Sequence, residues 1–268
     1  MRQPLLKTAL AATWTALVLH AAPAHAGRSC EAAKPTPQMF ERGLNLAERT
    51  LHALDTENTR SGAKVVMLAR MGQDLSKYGL RYSHFGYAYK LPSGQWLVAH
   101  KLNTCNTAEA AVYRQGLGEF FLDDVWRFEA AWVVPTPEVQ DRLHAVLVND
   151  ATISTLHTKP YSMVSYAWAQ KYQQSNQWAL ETLAFAMEPS ANNRTRAQAW
   201  LQFKAYEPGT LKIGALTRLG GRVTAANIAF DDHPNEKRFS DRIETVTVDS
   251  VFSWLQKSGL GGAPAALR

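Results

Sequence analysis

Two alternating runs, Ser83 to Lys90 and Gln95 to His100, flank the turn residues Leu91-Pro92-Ser93-Gly94. Phe85, Tyr87 and Tyr89 recur at every second position, the period of a strand. The pair predicts an antiparallel hairpin, and with it a sheet. Lys64 to Met71 reads as a buried strand that precedes the hairpin.

Helix signals surround this centre. Thr36-Pro37 offers an N-cap hydroxyl followed by proline where its missing N–H costs nothing. Phe40, Leu44, Ala47, Leu51 and Leu54 then supply one apolar face. Thr136-Pro137 repeats the signal, with Val139, Leu143, Val146 and Leu147 inward. Ser175 is expected to cap a helix to about Met187, a second helix covers about 195–205, and a last one runs from Asp249 to Gly259. Strands are expected over 128–134, near Leu211, over 225–230 and over 242–248; residues 103–124 are ambiguous. Interspersed helices and strands around a hairpin favour an α+β fold, an antiparallel sheet with flanking helices, over a doubly wound parallel sheet.

Residues 1–26 have the pattern of a signal peptide. Arg2 and Lys7 precede an apolar stretch, Thr8 to Leu19, and Ala24-His25-Ala26 gives small residues for cleavage. That stretch is too short to cross roughly 30 Å of hydrocarbon. The expected organisation is a signal peptide over 1–26, one domain over 27–258 and a flexible tail over 259–268. The expected location is periplasmic or secreted, with no membrane span in the mature chain. The formal net charge is +6, spread without a basic block. This suits solubility and loose attraction to anionic envelope surfaces, and does not support nucleic-acid binding. The 2 cysteines, Cys30 and Cys105, are most simply a disulfide in an oxidising compartment. A free nucleophilic Cys105 is the alternative.

Common catalytic signatures are absent: no G-x-S-x-G, no H-E-x-x-H, no Walker loop and no C-x-x-C. Ser61-Gly62-Ala63-Lys64 fits S-x-x-K, but its companion motifs S-D-N and K-T-G are missing. Asp231-Asp232-His233 lacks the spaced ligands of a zinc or calcium site and reads as a loop cap or salt bridge. No metal and no cofactor is expected. His84 begins one hairpin strand and His100 ends the other, so one imidazole can orient its neighbour as a base requires. Ser175 lies where a helix N-terminus would favour developing negative charge. It is equally well placed as a plain N-cap.

Two resemblances follow from these residues. Val65 to Leu68, leading through Tyr82-Ser83-His84-Phe85-Gly86, resembles the circularly permuted NlpC-type members of the papain-like superfamily, the lecithin-retinol-acyltransferase-like proteins included. Gln174-Ser175, with Trp178 three residues on, stands where that superfamily carries its cysteine. The resemblance implies a permuted papain-like core, with His84 as base, His100 as orienting residue and Ser175 at the nucleophile's position; backbone N–H groups at the helix start near Asn176 are expected to stabilise the oxyanion. A hydroxyl there departs from the superfamily thiol and needs general-base activation. Ser175-Asn176-Gln177-Trp178, Gln73-Asp74-Leu75-Ser76, Phe230-Asp231-Asp232-His233-Pro234 and Val246 to Ser250 together resemble a bacterial family of exported proteins of unknown function. Two functions are therefore expected. One is an amide or ester hydrolase or acyl transferase acting on an envelope small molecule or peptide. The other is a binding or assembly protein that keeps the cleft without its chemistry.

Overall fold

The computed structural model describes residues 36–123 and 125–268. The expected signal peptide and Cys30 lie outside the described residues.

In chain order the first half holds α1 (Pro37–Ser61), β1 (Val65–Met71), β2 (His84–Lys90), β3 (Trp96–Asn103), β4 (Ala110–Gly116), α2 (Leu117–Leu122) and β5 (Arg127–Val133). Then come α3 (Pro137–Leu147), α4 (Asp150–Ile153), α5 (Ser175–Met187) and α6 (Arg194–Phe203). The last part holds β6 (Gly209–Lys212), α7 (Ala215–Thr224), α8 (Asn235–Arg238), β7 (Arg242–Thr245), α9 (Val248–Lys257) and β8 (Ala265–Leu267). The main sheet runs β4-β3-β2-β1-β5-β8, antiparallel throughout. A separate antiparallel pair is β6-β7.

The sheet is covered on both faces, so β1 is buried along its whole length and reads as an unbroken apolar run. One face packs Leu68, Val98 and Trp132 against Leu46 and Leu54 of α1 and Phe120 of α2. The other packs Met67, Tyr87 and Tyr89 against α3, α5 and α9 through Leu143, Trp178, Leu183 and Leu255. A smaller cluster, Val164, Leu211, Ile213, Ile228, Phe230 and Ile243, sits under β6-β7. Helix α5 is buried nearly all round, the state expected of a central helix between layers.

The sequence reading holds for the hairpin and for both threonine caps, whose hydroxyls accept from Met39 N–H and Val139 N–H. It errs on the face of α1. The buried stripe is Gly43, Leu46, Ala47, Thr50 and Leu54, while Phe40, Leu44 and Leu51 are exposed. Residues 225–230 form no strand, and α7 is a helix that the sequence signals do not predict. The tail expected to be flexible carries β8, paired to β5 from Ala130↔Leu267 to Trp132↔Ala265.

Candidate functional site

Strand β2 opens on His84, paired to Arg70 of β1. Between β2 and β3 the ladder runs from Lys90↔Trp96 to Tyr87↔Ala99, and one further step sets Gly86 against His100. A Cβ on Gly86 would lie 2.7 Å from the Ala99 carbonyl oxygen and 2.8 Å from His100 Cβ. Glycine is required here by close approach and not by its dihedral freedom. The bare position lets the imidazoles of His84 and His100 meet diagonally above it, 2.9 Å apart from Nε2 to Nδ1.

The protons along this chain follow from its far end. His100 Nε2 lies 2.7 Å from Gln115 Oε1 on β4, an acceptor, so His100 carries its proton on Nε2. Its Nδ1 therefore accepts, and His84 Nε2–H donates to it. The Nδ1 of His84 is left as a lone pair that makes no hydrogen bond among the described residues. A relay of Gln115, His100 and His84 thus selects the tautomer of the outer imidazole.

Phe120 of α2 packs against both rings, with centroids 6.0 Å from His84 and 5.2 Å from His100. The Arg70 guanidinium lies over the same phenyl ring at 4.7 Å and bonds Asp123 Oδ2 at 2.6 Å. Burial, then the Arg70 charge, then His100 hold His84 well below the ordinary imidazole range. Burial and Arg70 push His100 down to about 4, against the opposing pull of Gln115 and Asp123. Both rings are neutral at neutral pH.

Ser175 comes from the first turn of α5 and is buried. It does not cap the helix. The N-cap is Gln174, whose side chain accepts from Asn176 N–H, and Ser175 is the first helical residue. The Asn176 carboxamide is equally committed: Oδ1 accepts from Phe85 N–H at 3.1 Å, and Nδ2 donates to the carbonyls of Ser83 at 3.2 Å and Val246 at 3.3 Å. These are the edge groups flanking His84, where β3 has diverged, so Asn176 ends the β2 ladder and brings Ser175 to the strand edge. With its N–H and amide both engaged, Asn176 supports the site and does not offer an oxyanion donor. The N–H of Ser175 makes no hydrogen bond among the described residues.

Ser175 and His84 line one cavity of about 710 Å³, together with Ser83, Tyr161 and Thr247. They approach it from different sides. Phe85, Tyr87 and Tyr89 pack towards α5, whereas His84 shares the α2 side with His100 and Phe120. No hydrogen bond joins Ser175 to His84 among the described residues. The Ser175 side chain interacts instead with the buried Tyr161 hydroxyl.

A buried polar network fixes this approach from behind. Glu181 of α5 takes Arg194 Nε at 2.8 Å, Gln173 Nε2 at 2.5 Å and Gln198 Nε2 at 2.7 Å. Gln173 in turn accepts from Lys101 Nζ at 2.8 Å. Lys101 neighbours His100, and Gln173 precedes the Gln174 cap, so both halves of the site are bolted to one carboxylate.

The other sequence candidates lie elsewhere. Lys64 pairs with Asp141 at 2.7 Å and Ser61 Oγ donates to the Glu57 carbonyl, so S-x-x-K is structural. Asp231 pairs with Lys171, while Asp232 bonds His233 Nδ1 at 2.9 Å and Tyr166 N–H at 2.9 Å. Cys105 lines the rim of the cavity and is not a free thiol. Sequence reasoning missed Gln115, Arg70 and Tyr161. Nothing in their local pattern marks them, because each acts through register or through contacts distant in the chain.

Residues 57–255 match the family described as "Uncharacterized protein conserved in bacteria (DUF2145)", and the chain belongs to that family. No curated protein and no solved structure matches it.

Proposed function

We propose that this DUF2145 member is an exported hydrolase or acyl transferase with a papain-like cleft, acting on an amide or ester of the cell envelope such as a cell-wall peptide. One observation carries the reading: the Gln115-His100-His84 relay ends in an unengaged Nδ1 lone pair at the cavity that Ser175 also lines. In the reaction, Ser175 Oγ attacks the carbonyl carbon while its proton passes to His84 Nδ1. The leaving amine or alcohol then takes that proton, and water or an acceptor hydroxyl resolves the acyl-serine. The Ser175 N–H faces the developing oxyanion. Attack requires the Ser175 side chain to turn from Tyr161 towards His84.

His84 is neutral at rest, the form a general base requires, and the Arg70 charge opposes the imidazolium that forms when it takes the Ser175 proton, just as it would oppose a papain-like thiolate–imidazolium pair. The signal peptide over 1–26 and a Cys30–Cys105 bridge belong to the same proposal. An N-terminus at Gly27, and no thiol labelling of the unreduced, denatured protein, are the expected results.

The second reading is a binding or assembly protein with an unused cleft. It is favoured by the Ser175–Tyr161 contact and by the missing Ser175–His84 hydrogen bond. A fluorophosphonate probe separates the two. Labelling of the wild type that is lost in Ser175→Ala and in His84→Ala supports catalysis. Equal labelling of wild type and Ser175→Ala, or a folded Ser175→Cys variant inert to iodoacetamide, supports the binding protein.

A further inference from the structure

Helix α7 is amphipathic in the inverted sense. Its inward positions are Arg218 and Gly221, both buried. Its outward stripe is Leu216, Leu219 and Val223, which are 85%, 62% and 77% exposed. These positions recur at intervals of three and four residues and so form one line along the helix. A single exposed leucine needs no explanation, but an aligned stripe does. Phe239 is a further exposed apolar side chain, at 70%. It lies two residues before Asp241, which Arg218 binds at 2.5 Å and whose carbonyl accepts from Ile213 N–H.

Charge says what this surface meets. From Pro208 to Phe230 the chain has no Asp or Glu but contains Lys212, Arg218 and Arg222. Arg218 is neutralised by Asp241. Lys212 and Arg222 are exposed on and beside α7 and make no ion pair among the described residues. An apolar stripe flanked by uncompensated cations is complementary to the headgroup region of an anionic bilayer. A helix facing another copy of itself would instead bring these cations together.

We propose that α7 docks the protein on an anionic lipid surface. Its opposite side, at Thr217, Gly221 and Thr224, lines the cavity that contains His84 and Ser175. The helix therefore lies between the bilayer and the candidate site, so that an envelope amphiphile could enter without crossing water. The docking itself does not depend on the catalytic reading.

The test uses the exported protein with vesicles of phosphatidylethanolamine and phosphatidylglycerol, and with vesicles of phosphatidylcholine alone. Sedimentation with the anionic vesicles should weaken at least about tenfold in a Leu216→Glu/Leu219→Glu/Val223→Glu variant, and should fall with added salt. Because these side chains are exposed, thermal unfolding of the variant should match the wild type. As a second measurement, tryptophan emission of Leu216→Trp should gain a blue-shifted component with anionic vesicles only. Equal sedimentation of wild type and triple variant overturns the proposal, as does an unchanged emission. A wild-type dimer that the triple variant dissociates, with no vesicle binding, overturns it in favour of a copy-to-copy interface.

Discussion

The Asn176 carboxamide brackets His84, accepting from the N–H of Phe85 and donating to the carbonyl of Ser83. One side chain thereby does for β2 what an adjacent strand would do, and ties the helix that carries Ser175 to the strand that carries the histidine. Asn176→Ala removes three hydrogen bonds and leaves buried backbone groups unpaired. Its expected cost is about 2–4 kcal/mol of unfolding free energy. Urea denaturation followed by tryptophan fluorescence checks it. A loss within experimental error of zero would mean that water replaces the amide and that α5 is held by other contacts.

Gly86→Ala probes the close approach that lets the histidines meet. The added methyl has backbone oxygen and His100 Cβ at under 3.0 Å, so β2 and β3 must separate. A destabilisation of about 1–3 kcal/mol is expected, the range of an overpacked core. The His84–His100 hydrogen bond should lengthen as well. Imidazole nitrogen NMR reads that change directly: wild-type His84 should show a protonated Nε2, and the variant a mixture of tautomers.

Much of this architecture is visible in the sequence where a local rule suffices. Threonine-proline pairs start α1 and α3 because the cap is a contact over three residues. Period two marks β2 and β3 because strand burial alternates. The reading fails where the cause is distant. Ser175 has the preferred residue type for a cap, yet Gln174 takes the role because its own amide is anchored by Thr245 and the Val246 carbonyl across the fold. Helix α7 escapes notice because its apolar stripe points away from the core, so periodicity alone gives it no partner. Phe40 and Leu44 mislead for the opposite reason. The α1 contact is made at a small residue, Gly43, whose missing Cβ admits Leu122 of α2. The two histidines were legible as neighbours, but Gln115, which sets their protons, depends on the β3-β4 register.

Acid should unfold the protein through its buried imidazoles. His100 takes a proton only at about 4 in the folded state, against an ordinary 6.5. Between these values the unfolded chain binds more protons than the native one, so stability falls as pH is lowered. Above about 6.5 neither state is protonated there and the contribution is flat. Below about 4 both are protonated and no further loss arises. His100 alone accounts for about 3 kcal/mol over that window, and His84 acts in the same direction. Urea midpoints should hold between pH 7.5 and about 6.5 and fall from there to about 4, and His100→Gln should flatten the decline. A midpoint independent of pH across this range would mean that water reaches the pair.

Glu181 supplies the last test, because it joins the two halves of the site without touching the cavity. Its carboxylate is 1% exposed and faces Arg194, whose side chain is 7% exposed. Glu181→Gln preserves shape but leaves the guanidinium charge buried without a counter-ion, and it disturbs acceptance from Gln173 and Gln198. The expected loss is about 3–5 kcal/mol, as for a buried pair broken on one side. Gln173 should also loosen, releasing Lys101 on one side and the Gln174 cap on the other. Thermal unfolding measures the first effect. Hydrogen exchange measures the second, with faster exchange in the first turn of α5 and at the end of β3 than in β1. Replacing both partners, Glu181→Met with Arg194→Met, should recover much of the stability, because the cost lies in the unpaired charge. If the single and double variants are equally unstable, packing volume, and not charge, holds this corner together.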